Sequence, residues 1–207
     1  MKESLKHLKI DFRGVAFYFL KALRLKGCKI SSTFLTYFVC FLKGIQIGKK
    51  NRFYGIPILF RTVCSKISIG NNCIFRSDFT SNLIGVNKKC SIATLCENAE
   101  VIIGNNCGLS GTTICAAEKI VIGNDVLCGA NVTITDSNWH TERYLSKPGP
   151  VIIEDNVWLG LNTVVLKSVT IGKNSIVGAN SLVVKSIPEN VIAAGNPCKV
   201  IKRLEQI

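Results

Sequence analysis

The chain has 207 residues, enough for one domain with a short appendage; 47% are apolar and 19% charged, which excludes a disordered chain. The formal net charge is +13, and residues 1–52 hold twelve Lys/Arg against only Glu3 and Asp11. A basic end of this kind suits an acidic membrane surface, a phosphorylated substrate or simply solvent; no interleaving of aromatic and basic residues supports nucleic acid.

The ten Cys include no CxxC pair and the chain has two His, so no metal site is expected. Unpaired Cys in this number point to a reducing compartment. The first eleven residues are charged throughout and lack an apolar signal core. The longest apolar run, residues 34–42, falls far short of the ~20 residues that span a bilayer. The expected location is the cytoplasm, or peripherally at the inner face of the membrane.

Residues 1–45 read as a basic, amphipathic helical segment. Leu5, Leu8, Phe12, Val15, Phe19 and Ala22 keep an i, i+3/i+4 stripe flanked by Lys6, Lys9, Arg13 and Arg24. Residues 33–42 read as a second short apolar element. The segment either caps the open end of the next domain or rests on a lipid surface.

Residues 46–190 are governed by a repeat of six. From Ile153, every sixth residue is aliphatic: Leu159, Val165, Ile171, Val177 and Val183. Four places after each stands a small or β-branched residue, from Val157 to Ile187. Cys73, Cys107 and Cys128 occupy positions of the same class, as small buried hydrophobes. A second marker, Ile-Gly-x-Asn, starts at Ile69, Ile84, Ile103, Ile122 and Ile171, with Ile153-Glu154-Asp155-Asn156 as a variant. The successive spacings are 15, 19, 19, 31 and 18. Three hexapeptides fill one triangular coil of about 18 residues. Gly and Asn supply its corners, and coils stack as parallel strands. These glycines are not a phosphate loop, since no Gly-Lys-Ser/Thr comes after them. Residues 191–207 read as a C-terminal tail.

The 31-residue gap is an interruption. It extrudes a polar loop at about residues 136–150, from Asp136-Ser137-Asn138-Trp139-His140 to Lys147-Pro148-Gly149-Pro150. A regular solenoid that breaks its period for one such loop places a site there. His140 is the only His beyond the first ten residues. Neutral imidazole suits general-base work at neutral pH. Asp136, four residues earlier, either orients that ring, binds an acceptor or only forms a turn. Glu142 is a weaker candidate of the same kind. The loop carries no Cys, so a covalent thiol intermediate is not implied.

From Ile122 onward the chain resembles the sugar O-acetyltransferases of the hexapeptide-repeat acyltransferase superfamily, the maltose and galactoside group. The matching stretches are residues 134–140, Ile153-Glu154-Asp155-Asn156-Val157-Trp158-Leu159-Gly160, Val177-Gly178-Ala179-Asn180-Ser181 and residues 194–202. The resemblance implies an all-β fold, a left-handed parallel β-helix, although the rule for parallel crossovers would favour the opposite hand. It implies acetyl-CoA as co-substrate, no metal, a saccharide or other small acceptor, a homotrimer, and a part in polysaccharide assembly, with His140 and Asp136 as catalytic residues. Trp158, Gly160, Gly178, Ala179, Val184, Lys185, Lys199 and Lys202 fall at its cofactor positions. Val184 departs from the family's Thr, which removes one hydroxyl contact. N-acetylation of an amino sugar and a non-catalytic β-helix scaffold are the rival readings.

Overall fold

The structure is a computed structural model that describes residues 11–138 and 147–204. The six-residue period becomes short strands separated by tight corners. Coil one comprises β1 (Gln46–Ile47), β2 (Arg52–Tyr54) and β3 (Ile58–Arg61). Coil two holds β4 (Lys66–Ile69), β5 (Ile74–Arg76) and β6 (Ser91–Thr94); coil three holds β7 (Glu100–Ile103), β8 (Gly108–Ser110) and β9 (Thr113–Ala116). Coil four holds β10 (Lys119–Ile122), β11 (Leu127–Ala130) and β12 (Thr133–Thr135). Coil five holds β13 (Val151–Ile153), β14 (Trp158–Leu159) and β15 (Val164–Val165); coil six holds β16 (Thr170–Ile171), β17 (Ile176–Val177) and β18 (Leu182–Val183). β19 (Val191–Ala194) and β20 (Lys199–Arg203) close the far end.

Each strand of coils one to six pairs in parallel with its counterpart in the next coil, which builds three sheets around one core. The first is β1-β4-β7-β10-β13-β16, the second β2-β5-β8-β11-β14-β17-β19-β20, and the third β3-β6-β9-β12-β15-β18. Register places like on like: Ile122 lies beside Ile103 and Ile153, and Leu159 beside Cys128 and Val177. Ile153, Leu159, Val165, Ile171, Val177 and Val183 are all fully buried. Each such side chain is worth roughly 1.5–3 kcal/mol on burial, but one coil alone cannot bury it, so the stabilisation resides in stacking.

The corner asparagines explain the second marker. Asn72, Asn106, Asp125, Asn156, Asn174 and Asn190 adopt φ near +60°, a conformation that Asn and Asp tolerate. Their side chains bond along the column, Asn72 to Asn106 at 3.0 Å, Asn106 to Asp125 at 3.0 Å and Asn174 to Asn190 at 2.9 Å. One residue thus supplies both the turn and an intercoil bond.

Three expectations need correction. Ile84-Gly85-Val86-Asn87 is not a repeat unit. It lies in an insertion, residues 77–90, that leaves the solenoid after β5 and returns at β6; Ile84 is exposed and Gly85 has φ +111°. Coil two to coil three is therefore a single step of 34 residues, seen in the Asn71–Asn105 pair, against 18 for a bare coil such as Asn156–Asn174.

The apolar residues before the repeat form one helix, α1 (Phe12–Leu42), rather than two elements. No Pro interrupts residues 12–56, and Gly27 alone is too weak a breaker to stop the helix. Asp11 caps its start by accepting from the Gly14 N–H at 2.8 Å, and Gly44 with φ +63° turns the chain out at the end. Leu5 and Leu8 lie outside the described residues.

The C-terminal segment is built into the second sheet. β19 pairs in parallel with β17, burying Val191 and Ala193, and β20 folds back antiparallel on β19. The alternating burial of 191–194 is what a stacked strand requires and a free tail would lack.

Candidate functional site

The interruption leaves the solenoid at the corner between the third and first sheets, directly after β12, and rejoins it at β13. Asp136 stands at the exit and is fully buried. Its Oδ1 accepts the Ala117 N–H at 2.7 Å, and its Oδ2 accepts those of Glu118 at 2.8 Å and Lys119 at 2.7 Å. These three amides form the β9–β10 corner of the coil below. Three charge-assisted bonds thus hold the exit of the loop to the solenoid. The Asp136 carbonyl accepts the Gly149 N–H at 2.9 Å, and the Gly149 carbonyl accepts that of Ser168 at 2.9 Å. Lys167 Nζ donates to the Lys147 carbonyl at 2.7 Å. Exit and return are therefore pinned together.

Asp136 is thus buried, with three backbone amides on its carboxylate. Asp136 is placed to hold the loop mouth. His140, Trp139 and Glu142 lie outside the described residues, as does His7.

The expected cofactor residues occupy two edges of the third sheet and the end of the second. Gly160, Gly178 and Ala179 stack at the corner between the second and third sheets. A Cβ on Gly160 would stand 2.5 Å from the Ala179 backbone nitrogen, so close coil stacking alone already requires glycine there. Gly178 meets the Ala194 side chain in the same way, at 2.8 Å. Val184 and Lys185 come after β18 at the corner between the third and first sheets, the corner that carries Asp136 two coils away, and both are exposed. Trp158 is half exposed on the outer face of β14, between Leu127 and Ile176. Lys199 and Lys202 are exposed on β20, where Lys199 pairs with Ala194 beside Gly178. The chain thus groups Gly178, Ala179, Ala194 and Lys199, and separates them from Asp136 and Lys185 by the width of the third sheet.

Sequence reasoning missed the 77–90 insertion as part of this region. It folds back along the solenoid: the Gly85 carbonyl accepts from Asn131 Nδ2 at 2.7 Å, and the Asn87 N–H donates to Asn131 Oδ1 at 3.1 Å. Lys88 Nζ then reaches Thr133 Oγ1 on β12 at 3.0 Å, and burial lowers its pKa. The second insertion therefore borders the strand that leads into the first. Its signal was present as the 34-residue gap, but Ile84-Gly85-Val86-Asn87 imitates the corner marker and disguises it.

Comparison with known proteins agrees with this architecture. A family model for the hexapeptide repeat of succinyl-transferase matches residues 150–185. A galactoside O-acetyltransferase of Lactococcus lactis subsp. lactis is 39% identical over 148 residues, covering 66% of this chain and 62% of that one. A galactoside O-acetyltransferase of Escherichia coli is 44% identical over 85 residues, covering 39% and 42%. The chain therefore carries a hexapeptide repeat and is similar to galactoside O-acetyltransferases over its repeat region.

The chain also resembles a solved mutant of an N-acyltransferase from Bacillus cereus, in complex with dTDP and coenzyme A. The TM-score is 0.60 at 19% identity, covering 80% of this chain and 87% of that one, a likeness of fold. The matched repeat region, 150–185, contains Trp158, Gly160, Gly178, Ala179, Val184 and Lys185. The chain spans somewhat less than two thirds of the L. lactis acyltransferase it matches.

Proposed function

We propose that the protein is an acetyl-CoA-dependent O-acetyltransferase acting on a saccharide hydroxyl during assembly of a surface polysaccharide, with His140 as general base. The observation that carries this reading is the pinned loop. The solenoid breaks its period after β12, and Asp136 commits a buried carboxylate to fixing the point of exit. Of the residues between this exit and the return at β13, His140 is the one whose side chain suits a general base. The likeness to two galactoside O-acetyltransferases supports the choice of hydroxyl over amine as acceptor.

In this mechanism the acceptor hydroxyl loses its proton to His140 Nε2 or Nδ1 as its oxygen attacks the thioester carbonyl. A backbone N–H or a side chain from a facing coil steadies the oxyanion, whose collapse breaks the thioester C–S bond, and the departing CoA thiolate takes the proton held by His140. Acetyl-CoA, when bound, supplies the activated acyl group. Trp158, Gly160, Gly178, Ala179, Val184 and Lys185 line its path, and Lys199 and Lys202 face its phosphates. These positions lie on both sides of the third sheet, which supports a homotrimer whose sites form between neighbouring protomers. The left-handed sense of the coil and a location at the cytoplasmic face of the membrane are parts of the same proposal.

The test is His140→Ala assayed with labelled acetyl-CoA on a panel of hydroxyl and amine acceptors. Turnover should fall at least about a hundredfold, with melting temperature and acetyl-CoA affinity unchanged. The native rate should rise with pH through the ordinary imidazole range, near 6.5, and the variant should lack that limb. Near-native turnover in the variant on the true acceptor would overturn the mechanism, and transfer confined to amines would move the chain to N-acetylation.

A further inference from the structure

The helix α1 has two faces with different tasks. Ser32, Thr36 and Cys40, spaced four apart, are buried against coil one. Thr33 Oγ1 accepts the Phe53 N–H at 3.0 Å, and Tyr37 O–H donates to the Gly48 carbonyl at 2.8 Å. The C-terminal half of α1 therefore satisfies the first strand edge and closes the core, as an uncapped solenoid end requires.

Among the described residues nothing covers the other face. Phe34 and Phe38 stand two residues either side of Thr36, so each lies about 160° around the helix from it. With Leu20, Leu23, Ile30 and Phe41 they form a stripe at steps of three, seven, four, four and three residues. All six are between 53% and 81% exposed. The stripe differs from the one legible in the sequence, which ran from Leu5 to Ala22. Among the described residues no helix is long and apolar enough to cross a membrane.

We propose that this face of α1 docks the protein flat on an anionic lipid surface. Charge decides between lipid and a second copy of the helix. Residues 12–77 contain twelve Lys/Arg and no Asp or Glu. Two copies of α1 packed through the stripe would bring the flanking Arg13 and Lys26 of each into one seam. An anionic headgroup layer meets the same cations favourably while the Phe and Leu side chains enter the acyl boundary. The surface is independent of the transferase mechanism; that reading supplies only its purpose, access to a lipid-borne acceptor.

The test uses the full chain and vesicle co-sedimentation. Binding should be strong on phosphatidylcholine vesicles containing about a third phosphatidylglycerol, weak on phosphatidylcholine alone, and should fall with added salt. The double variant Phe34→Glu/Phe38→Glu should bind the anionic vesicles at least about tenfold more weakly, with unchanged melting and unchanged transfer to a soluble acceptor. If that variant fails to fold, Leu20→Ser/Leu23→Ser, further from the capping contacts, should show the same loss. Wild-type protein that ignores anionic vesicles, or folded variants that bind them as well as wild type, would overturn the proposal. So would dissociation of the variant to a smaller oligomer, which would make the stripe a contact between copies. None of these outcomes bears on His140, whose own variant tests the chemistry.

Discussion

Replacing Asp136 by Asn tests whether the loop mouth is held as the structure shows. The carboxylate accepts from Ala117, Glu118 and Lys119 at 2.7–2.8 Å while fully buried. The amide has nearly the same shape but only one acceptor oxygen, and its NH2 would face one or two backbone donors. Hydrogen bonds to a charged group are worth about 1.5–3 kcal/mol each, and donors left buried without a partner add their desolvation. Losing one or two of three such bonds should cost about 3 kcal/mol. For a chain of this size that lowers the melting temperature by roughly 6–12 °C. Because the damage sits at one corner, hydrogen exchange should speed up first at the amides of Ala117, Glu118, Lys119 and Gly149, while the far coils keep their protection. Turnover should drop about tenfold or more through misplacement of the loop, with acetyl-CoA affinity nearly unchanged. A variant that melts within about 2 °C of native and shows native exchange at those four amides would refute the reasoning.

Other outcomes rest on the same geometry. Gly160→Ala should destabilise the solenoid by about 1–3 kcal/mol in a denaturant melt, since its Cβ would press on the Ala179 nitrogen at 2.5 Å. Acetyl-CoA should bind less tightly as salt rises, and Lys199→Ala/Lys202→Ala should remove most of that dependence in titration calorimetry. Sedimentation should find a trimer, and a monomer with full turnover would sink the intersubunit site.

The aliphatic ladder was legible because inward positions on a coil are chemically uniform. Ile153, Leu159 and Val165 can only be buried if the chain turns every six residues, so the period specifies the strands, the corners and the stacking together. Asn at the αL corner is equally legible, because few residues tolerate that conformation. The contacts of Asp136 were not. They join residues 17 to 19 apart through backbone amides, which carry no signature of side-chain type. Gly160 was legible as a small residue but not as to its reason, since close coil stacking and close approach of a ligand both demand glycine. The two faces of α1 were obscured because both carry apolar or small residues. Ser32, Thr36 and Cys40 form a polar-looking face that is buried, while Phe34, Phe38 and Phe41 are exposed, the reverse of what hydropathy alone would assign.

The two interruptions of the solenoid are related in space. One leaves after β5, at the corner between the second and third sheets, and climbs to Asn131 and Thr133. The other leaves after β12, at the opposite corner of the same third sheet. A β-helix is otherwise featureless along its length, because every coil repeats the outline of the last and offers a ligand no preferred level. Two extrusions on one sheet break that degeneracy at coil four. The short outer face of β12 becomes a bounded strip, with Lys88 at one margin and the Asp136 mouth at the other. Lengthening either corner elsewhere in the solenoid would leave the strip open on one side. The contacts of the 77–90 insertion with Asn131 and Thr133 thus place it beside the same strand from which the His140 segment departs, and make it a border of the candidate site.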